Sequence, residues 1–216
     1  MFLKDKKMRK IIATILILGI IFSSYSQDKK AIQIKWNAST LLNYMPSFQG
    51  GIQYHFKNKF HLQHEIGFIS GYFSPFWKAE DELIGLRVNN TIKYYFDSFS
   101  KQVPIYCGFD IFYRSCSYQT NWSYSMYDGA YFQIIPRERT KQVIAGSFLL
   151  GFEPFVSEKT FLEFFGGLGV RHLTITDEKL PKHAEMWRMG SIFRHSQGTF
   201  FYPNITLGMR IGFLHQ

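Results

Sequence analysis

Ten charged side chains fall in stretches where every second residue is polar or glycine. They are Lys35, Glu65, Arg87, Lys93, Asp110, Arg114, Glu153, Glu163, Arg171 and Arg210. Alternation at period two puts them on one face of a series of β-strands. On the opposite, apolar parity of those strands there is no Lys, Arg, Asp or Glu. Six of the ten are basic and four acidic, so most can neutralise one another. Charges removed from water must pair or change protonation state. If the strands close into a small barrel, its interior is just wide enough for side chains. The chemistry expected of these residues is therefore an interior ion-pair network filling the lumen, with a conducting path as the alternative.

Two further groups bear on catalysis or metal binding. His195 and Ser196 are adjacent, whereas a base and a nucleophile on one strand share a face only at i, i+2. No matching acid is evident, and a serine nucleophile needs an oriented base. His61 and His64 are three apart and face opposite ways in a strand. His55 and His61 share the polar parity across the turn Lys57-Asn58-Lys59 and can approach each other. No Cys or carboxylate stands at ligand spacing, so these histidines read as polar interior residues rather than as a metal site. No glycine-rich phosphate loop occurs in a strand-to-helix setting. No catalytic residue, metal or cofactor is expected.

Eight strands must position these groups. They are expected at about residues 31–40, 48–56, 60–72, 86–96, from 103 onward, 143–155, 161–172, and in the closing stretch 200–213. The last is the clearest. Ile205, Leu207, Met209, Ile211 and Phe213 alternate with Asn204, Thr206, Gly208, Arg210 and Gly212. Glycine weakens a strand exposed to water, yet nine glycines take the polar parity: Gly51, Gly67, Gly71, Gly108, Gly151, Gly167, Gly169, Gly208 and Gly212. Only Gly50, Gly146 and Gly166 take the other. A crowded polar interior explains that sorting, and an exterior facing lipid explains the exclusion of charge, since a midplane Lys or Arg costs ~2–4 kcal/mol. The links after the second, fourth and sixth strands are short and flanked by aromatics; those after the third, fifth and seventh are long.

Within the fifth link, period two persists. Trp122, Tyr124 and Met126 alternate with Ser123 and Ser125, and Asp128-Gly129 suits a two-residue hairpin turn. Tyr131, Gln133 and Ile135 answer from the return side until Pro136, which cannot donate to a ladder. A protruding hairpin is expected, with Trp122, Tyr124, Tyr127 and Tyr131 as candidate partner-binding residues.

The 216 residues suffice for one domain, with 19% aromatics and a mean hydropathy near zero (−0.13). Such values suit a chain in which only alternate residues meet lipid. The apolar run 11–22 follows Lys4, Lys6, Lys7, Arg9 and Lys10 and precedes Ser24-Tyr25-Ser26-Gln27. That order reads as a secretory signal peptide over residues 1–26, leaving a domain over 27–216. The run is shorter than the ~20 residues that a spanning helix needs. Removing it takes five of 25 basic and one of 16 acidic residues, so 20 basic remain against 15 acidic, a net +5. That mild excess is no nucleic-acid signature. Cys107 and Cys116 are nine apart in one strand, roughly 30 Å and on opposite faces, too far for a disulfide; two free thiols are expected.

The fold class expected is all-β: an eight-stranded antiparallel transmembrane β-barrel after a cleaved signal peptide. The chain resembles the small outer-membrane β-barrel proteins of Gram-negative bacteria, most of all the porin-family, OmpX-like barrels of the Bacteroidota. The residues that carry the resemblance are Ser26-Gln27, Lys93-Tyr94-Tyr95-Phe96, the run from Phe165 to Arg171, and Pro203-Asn204-Ile205 through Gly212-Phe213. Such proteins often end on an aromatic, whereas here Leu214-His215-Gln216 follow Phe213. The resemblance implies an outer-membrane location, contacts with outer-membrane lipid and the barrel-assembly machinery, and no established activity. Long outer loops add an extracellular protein or glycan as the expected partner. Outer-membrane lipid A deacylases are similar barrels with a His and a Ser near the position of His195-Ser196, which makes a lipid-modifying enzyme the alternative function.

Overall fold

The computed structural model describes residues 32–42, 45–57, 59–73, 82–96, 103–127, 131–154, 156–157, 159–178, 184–186 and 197–215. The signal segment 1–26, Asp128-Gly129 and His195-Ser196 lie outside the described residues.

Nine strands are present among them: β1 (Ile32–Trp36), β2 (Ser47–Lys57), β3 (Phe60–Ser70), β4 (Ile84–Tyr95), β5 (Ile105–Met126), β6 (Tyr131–Phe152), β7 (Thr160–Asp177), β8 (Ala184–Met186) and β9 (Gly198–His215). All pairings are antiparallel. The ladder runs β4-β3-β2-β1-β9-β7-β6-β5, and β4 also pairs with β5, so eight strands close into a ring. Closure gives each of the eight strands two neighbours, although β1 covers β9 only over residues 211–215. The ninth strand, β8, is outside the ring and adds to β5 at Tyr124–Met126.

Which parity faces inward is plain from burial. Lys35, Glu65, Lys93, Asp110, Glu163 and Arg210 are buried. Their neighbours in sequence point out: Ile34, Ile66, Ile92, Phe109, Ile111, Phe148, Leu150, Leu168, Ile205 and Leu207 are all exposed. Phe60 and Tyr94 (5.1 Å), Tyr94 and Phe96 (5.6 Å), and Phe152 and Phe164 (5.3 Å) form ring pairs on this outer face near the short turns.

Glycine sorts with the interior for a steric reason. The Phe161 ring lies over Gly212 and the Phe165 ring over Gly208, so a Cβ at either glycine would collide with aromatic carbon. Outward Gly50 has nothing nearer than 3.9 Å to an added Cβ.

Several boundaries differ from expectation. The first strand stops at Trp36 rather than near residue 40, and a 3-10 turn, Ala38–Leu42, follows. Local side-chain bonds compete with the ladder there. The Thr40 hydroxyl is 2.7 Å from the carbonyl oxygens of both Asn37 and Ser47, and Ser39 donates to Asn37 Oδ1 at 2.8 Å. Gly71 belongs to a second 3-10 turn, Gly71–Phe73, not to β3. The expected return side of the hairpin is present from Tyr131, but it joins the sixth strand, expected from about 143, without a break and continues through Pro136, which is paired with Asn121. In an antiparallel strand, residues two apart direct their backbone groups to the same side. Glu138 accepts from Glu178, on the β7 side. Pro136 therefore turns its missing N–H toward that side, beyond the end of β7 at Asp177, where no ladder partner is lost.

β5 and β6 are each 22 residues long, and their ladder ends at the pair Met126–Tyr131. β4 accompanies β5 only to Ser117, and β7 accompanies β6 only to Arg139. The rest of the pair stands beyond the ring. A membrane-spanning strand needs only ~9–11 residues, so the excess is large.

Candidate functional site

The inward charges divide into two groups at different heights. The first lies toward the short turns. Glu163 on β7 is its centre: Lys35 Nζ from β1, Lys93 Nζ from β4 and Arg210 from β9 all donate to it at 2.7 Å, and the Tyr106 hydroxyl donates at 2.5 Å. Glu153, one residue past β6, accepts from Lys35 (2.7 Å), Lys93 (3.1 Å) and the Tyr95 hydroxyl (2.7 Å). Arg210 spreads its fork over Glu65, with Nε–Oε1 at 2.7 Å and the second terminal nitrogen to Oε2 at 3.1 Å. Gln49 donates to the same carboxylate at 2.9 Å.

Three cations and three carboxylates thus share one water-excluded cluster. Aromatic faces close it from the sides: Phe161 lies 4.8 Å from Lys35 Nζ, Tyr106 lies 4.3 Å from Lys93 Nζ, and Phe165 lies 3.9 Å from the Arg210 guanidinium. Charge-assisted bonds and cation–π contacts replace the hydration these groups gave up. Asp110 stands just outward, accepting from Thr91 at 2.7 Å and Asn89 at 3.2 Å.

The second group lies toward the long loops. Arg87 and Arg114 are direct cross-strand partners on β4 and β5. Arg171 on β7 and Lys141 on β6 project into the same space, with Phe112 under Arg87 (4.8 Å) and Tyr202 near Arg171 (5.6 Å). Among the described residues none of these four cations forms an ion pair. They border a cavity of about 360 Å³ that also touches Asn37, Thr40, Asn204 and Thr206.

Of the ten charges expected to share one network, six form the neutral cluster, Asp110 is held by neutral partners, and Arg87, Arg114 and Arg171 stand apart without ion pairs. Sequence reasoning missed Arg137, Arg139 and Lys141, having assigned them to a loop. Their spacing of two continues the inward parity of Val143, Ala145 and Ser147. Arg139 and Asp177 are cross-strand partners joined by two bonds of 2.6 Å. The two tyrosines and the glutamine that complete the cluster, Tyr95, Tyr106 and Gln49, were also missed; only their parity could have marked them.

His55 and His61 do meet: Nδ1 of the first is 3.1 Å from Nε2 of the second, and Gln53 Nε2 is 3.1 Å from His61 Nδ1. His64 points outward, 2.5 Å from Asn90 Oδ1. Among the described residues no group of three or more His, Cys, Asp and Glu is placed to hold a metal. Cys107 and Cys116 are free thiols, the second buried beside Met45 (3.4 Å).

On the protruding hairpin, the rings of Tyr127 and Tyr131 are 6.1 Å apart and both exposed. Trp122 and Tyr124 have described backbone in β5, and their side chains lie outside the described set. Tyr127 takes a positive φ of 49°, opening the connection 127–130.

No protein-family model matches the chain, and no curated protein does. Among solved structures it is similar to the crystal structure of Neisserial surface protein A (NspA), with 14% identity, a TM-score of 0.38, and coverage of 85% of this chain and 94% of that one.

Proposed function

We propose that this chain is a non-enzymatic outer-membrane β-barrel with a sealed lumen, whose β5–β6 hairpin carries a surface interaction. One observation carries the location. Phe148, Leu168, Ile205 and Leu207 are 73%, 68%, 72% and 77% exposed on the outer wall, while every ion pair of the central cluster is inside. An apolar belt with a charged interior inverts the arrangement of a water-soluble barrel and suits contact with lipid. The ring pairs near the short turns then belong at the periplasmic interface of the outer membrane. That orientation puts the hairpin outside the cell. A cleaved signal peptide over residues 1–26, delivery to the barrel-assembly machinery, and kinship with the OmpX-like barrels of the Bacteroidota complete the reading.

The balanced cluster around Glu163 supports a barrier rather than a pore. Purified barrel in a planar bilayer should give no stepwise conductance; steps of porin size would refute the barrier.

The hairpin supports the surface role. Phe132 and Ile134 are exposed on β6, and β8 already adds as a third strand to β5. Exposed strand edges recruit further strands, and tyrosines are favoured at recognition surfaces. An extracellular protein or glycan is the proposed partner. Thr120 and Arg137 are cross-strand partners, so residues 121–136 can be replaced by a two-residue turn between them. The shortened barrel should still fold, and cells carrying it should lose adhesion to the surface that the intact protein binds. Unchanged adhesion would remove the hairpin from the function.

A further inference from the structure

We infer that the outer half of the lumen is a binding site for a phosphorylated anion, held by Arg87, Arg114 and Arg171 with Lys141 at its side. The site is built from four strands: β4, β5, β6 and β7 each contribute one cation. Like charges placed directly opposite each other across a ladder are unfavourable, yet Arg87 faces Arg114. Nothing in the sheet requires it, for the neighbouring inward positions Asn89 and Phe112 show that neutral residues fit this wall. Among the described residues the Nε atoms of Arg87, Arg114 and Arg171 are all buried without a hydrogen-bond partner. Buried donors are normally satisfied, and orphaned ones ask for an explanation. The described carboxylates within the barrel do not supply it. Glu65 and Glu163 are occupied by Arg210, and Asp110 by Thr91 and Asn89. A ligand of opposite charge does.

Arginine forks match phosphate oxygens in pairs, which favours a phosphate over a simple halide. The space agrees: about 360 Å³ is roughly a dozen water volumes at ~30 Å³ each, room for two phosphate groups with some water.

Two sources offer this chemistry. A soluble phosphate can enter from the loop side. A lipid headgroup has a second route. β1 pairs with β9 only over residues 211–215, so among the described residues no strand pairs with 198–210 of β9 on that side. The cavity touches that stretch at Asn204–Leu207, facing Ser39 and Thr40 of the 3-10 turn. Ile205 and Leu207 there point outward, so a phosphate could lie inside while its acyl chains stay in the membrane.

The test uses inorganic pyrophosphate as the probe, titrated calorimetrically into the detergent-solubilised barrel. Binding should be seen, weakened at least tenfold by Arg114→Gln and by Arg171→Gln and unchanged by Lys159→Gln, an exposed residue in the β6–β7 turn. Both arginine variants remove charge from an uncompensated cluster, so folding should survive, and gel mobility before boiling verifies that. Native mass spectrometry of protein extracted from outer membranes separates the sources. A phospholipid adduct displaced by pyrophosphate and absent from Arg114→Gln identifies a headgroup, and pyrophosphate binding without any adduct identifies a soluble anion. The inference is overturned if the folded wild-type barrel shows neither binding nor adduct. It is also overturned if binding or adduct persists unchanged in both arginine variants.

Discussion

Arg87 and Arg114 are directly opposite each other on β4 and β5, both directed into the barrel and neither in an ion pair with a described residue. Such a pair opposes folding when no anion is present. Arg114→Gln should therefore raise the ligand-free stability of the detergent-folded barrel, read as a higher urea midpoint, by ~0.2–1 kcal/mol if the gain is that of an ordinary cross-strand pair. A lower midpoint would mean that Arg114 has a compensating partner.

The inner cluster should behave in the opposite sense. Glu163 accepts from Lys35, Lys93, Arg210 and Tyr106. Glu163→Gln leaves three buried cations facing two carboxylates, and breaking a buried ionic network costs ~3–5 kcal/mol. Lys159→Ala, in the exposed turn, should change stability by less than about 1 kcal/mol. Equal urea midpoints for the two variants would show that the cluster contributes no more than a surface charge.

Glycine position offers an independent check on which face is inside. Gly212→Ala forces a methyl group against the Phe161 ring and should cost about 1–3 kcal/mol as an overpacked site. Gly50→Ala meets only open van der Waals distances and should be close to neutral. If the alanine at Gly50 is the more damaging, the two faces are exchanged.

Much of the wall was legible in the sequence because one constraint repeats along it. An apolar exterior on one side and a crowded polar interior on the other sort Ile205, Leu207 and Ile211 from Asn204, Gly208 and Arg210 without reference to any partner strand. The failures arose where a nonlocal or side-chain term decides. Trp36 ends β1 because Asn37, Ser39 and Thr40 bond locally. Pro136 passes as a strand residue because β7 has already ended on the side its nitrogen faces, a fact about a residue forty positions away. Breaking the return strand at Pro136 and resuming it near Val143 hid Arg137, Arg139 and Lys141.

Within the ionic site, parity predicted which charges enter the lumen but not how they divide. That division depends on height along the barrel. Lys35, Lys93 and Glu163 come together because β1, β4 and β7 place them at one level, while Arg171, eight residues beyond Glu163 on the same face of β7, stands at another. Relative height is set by strand register, and the patterns of single strands do not encode it.

The apolar belt carries its own expectation. Leu168 is outward and 68% exposed in the middle of β7. Leu168→Arg puts a charge where hydrocarbon is expected, at ~2–4 kcal/mol near the midplane. The folded yield of this variant in outer-membrane fractions should fall well below wild type, and a normal yield would place Leu168 outside the membrane.

The central claim, a closed barrel resident in the outer membrane, is tested most directly by the gel mobility of the protein extracted from that membrane, run with and without boiling. The ring closed by β4 and β5 should resist detergent when cold and open when heated, giving a faster unboiled band that shifts on boiling. A protein recovered in the soluble fraction, or one with identical mobility in both lanes, would contradict it.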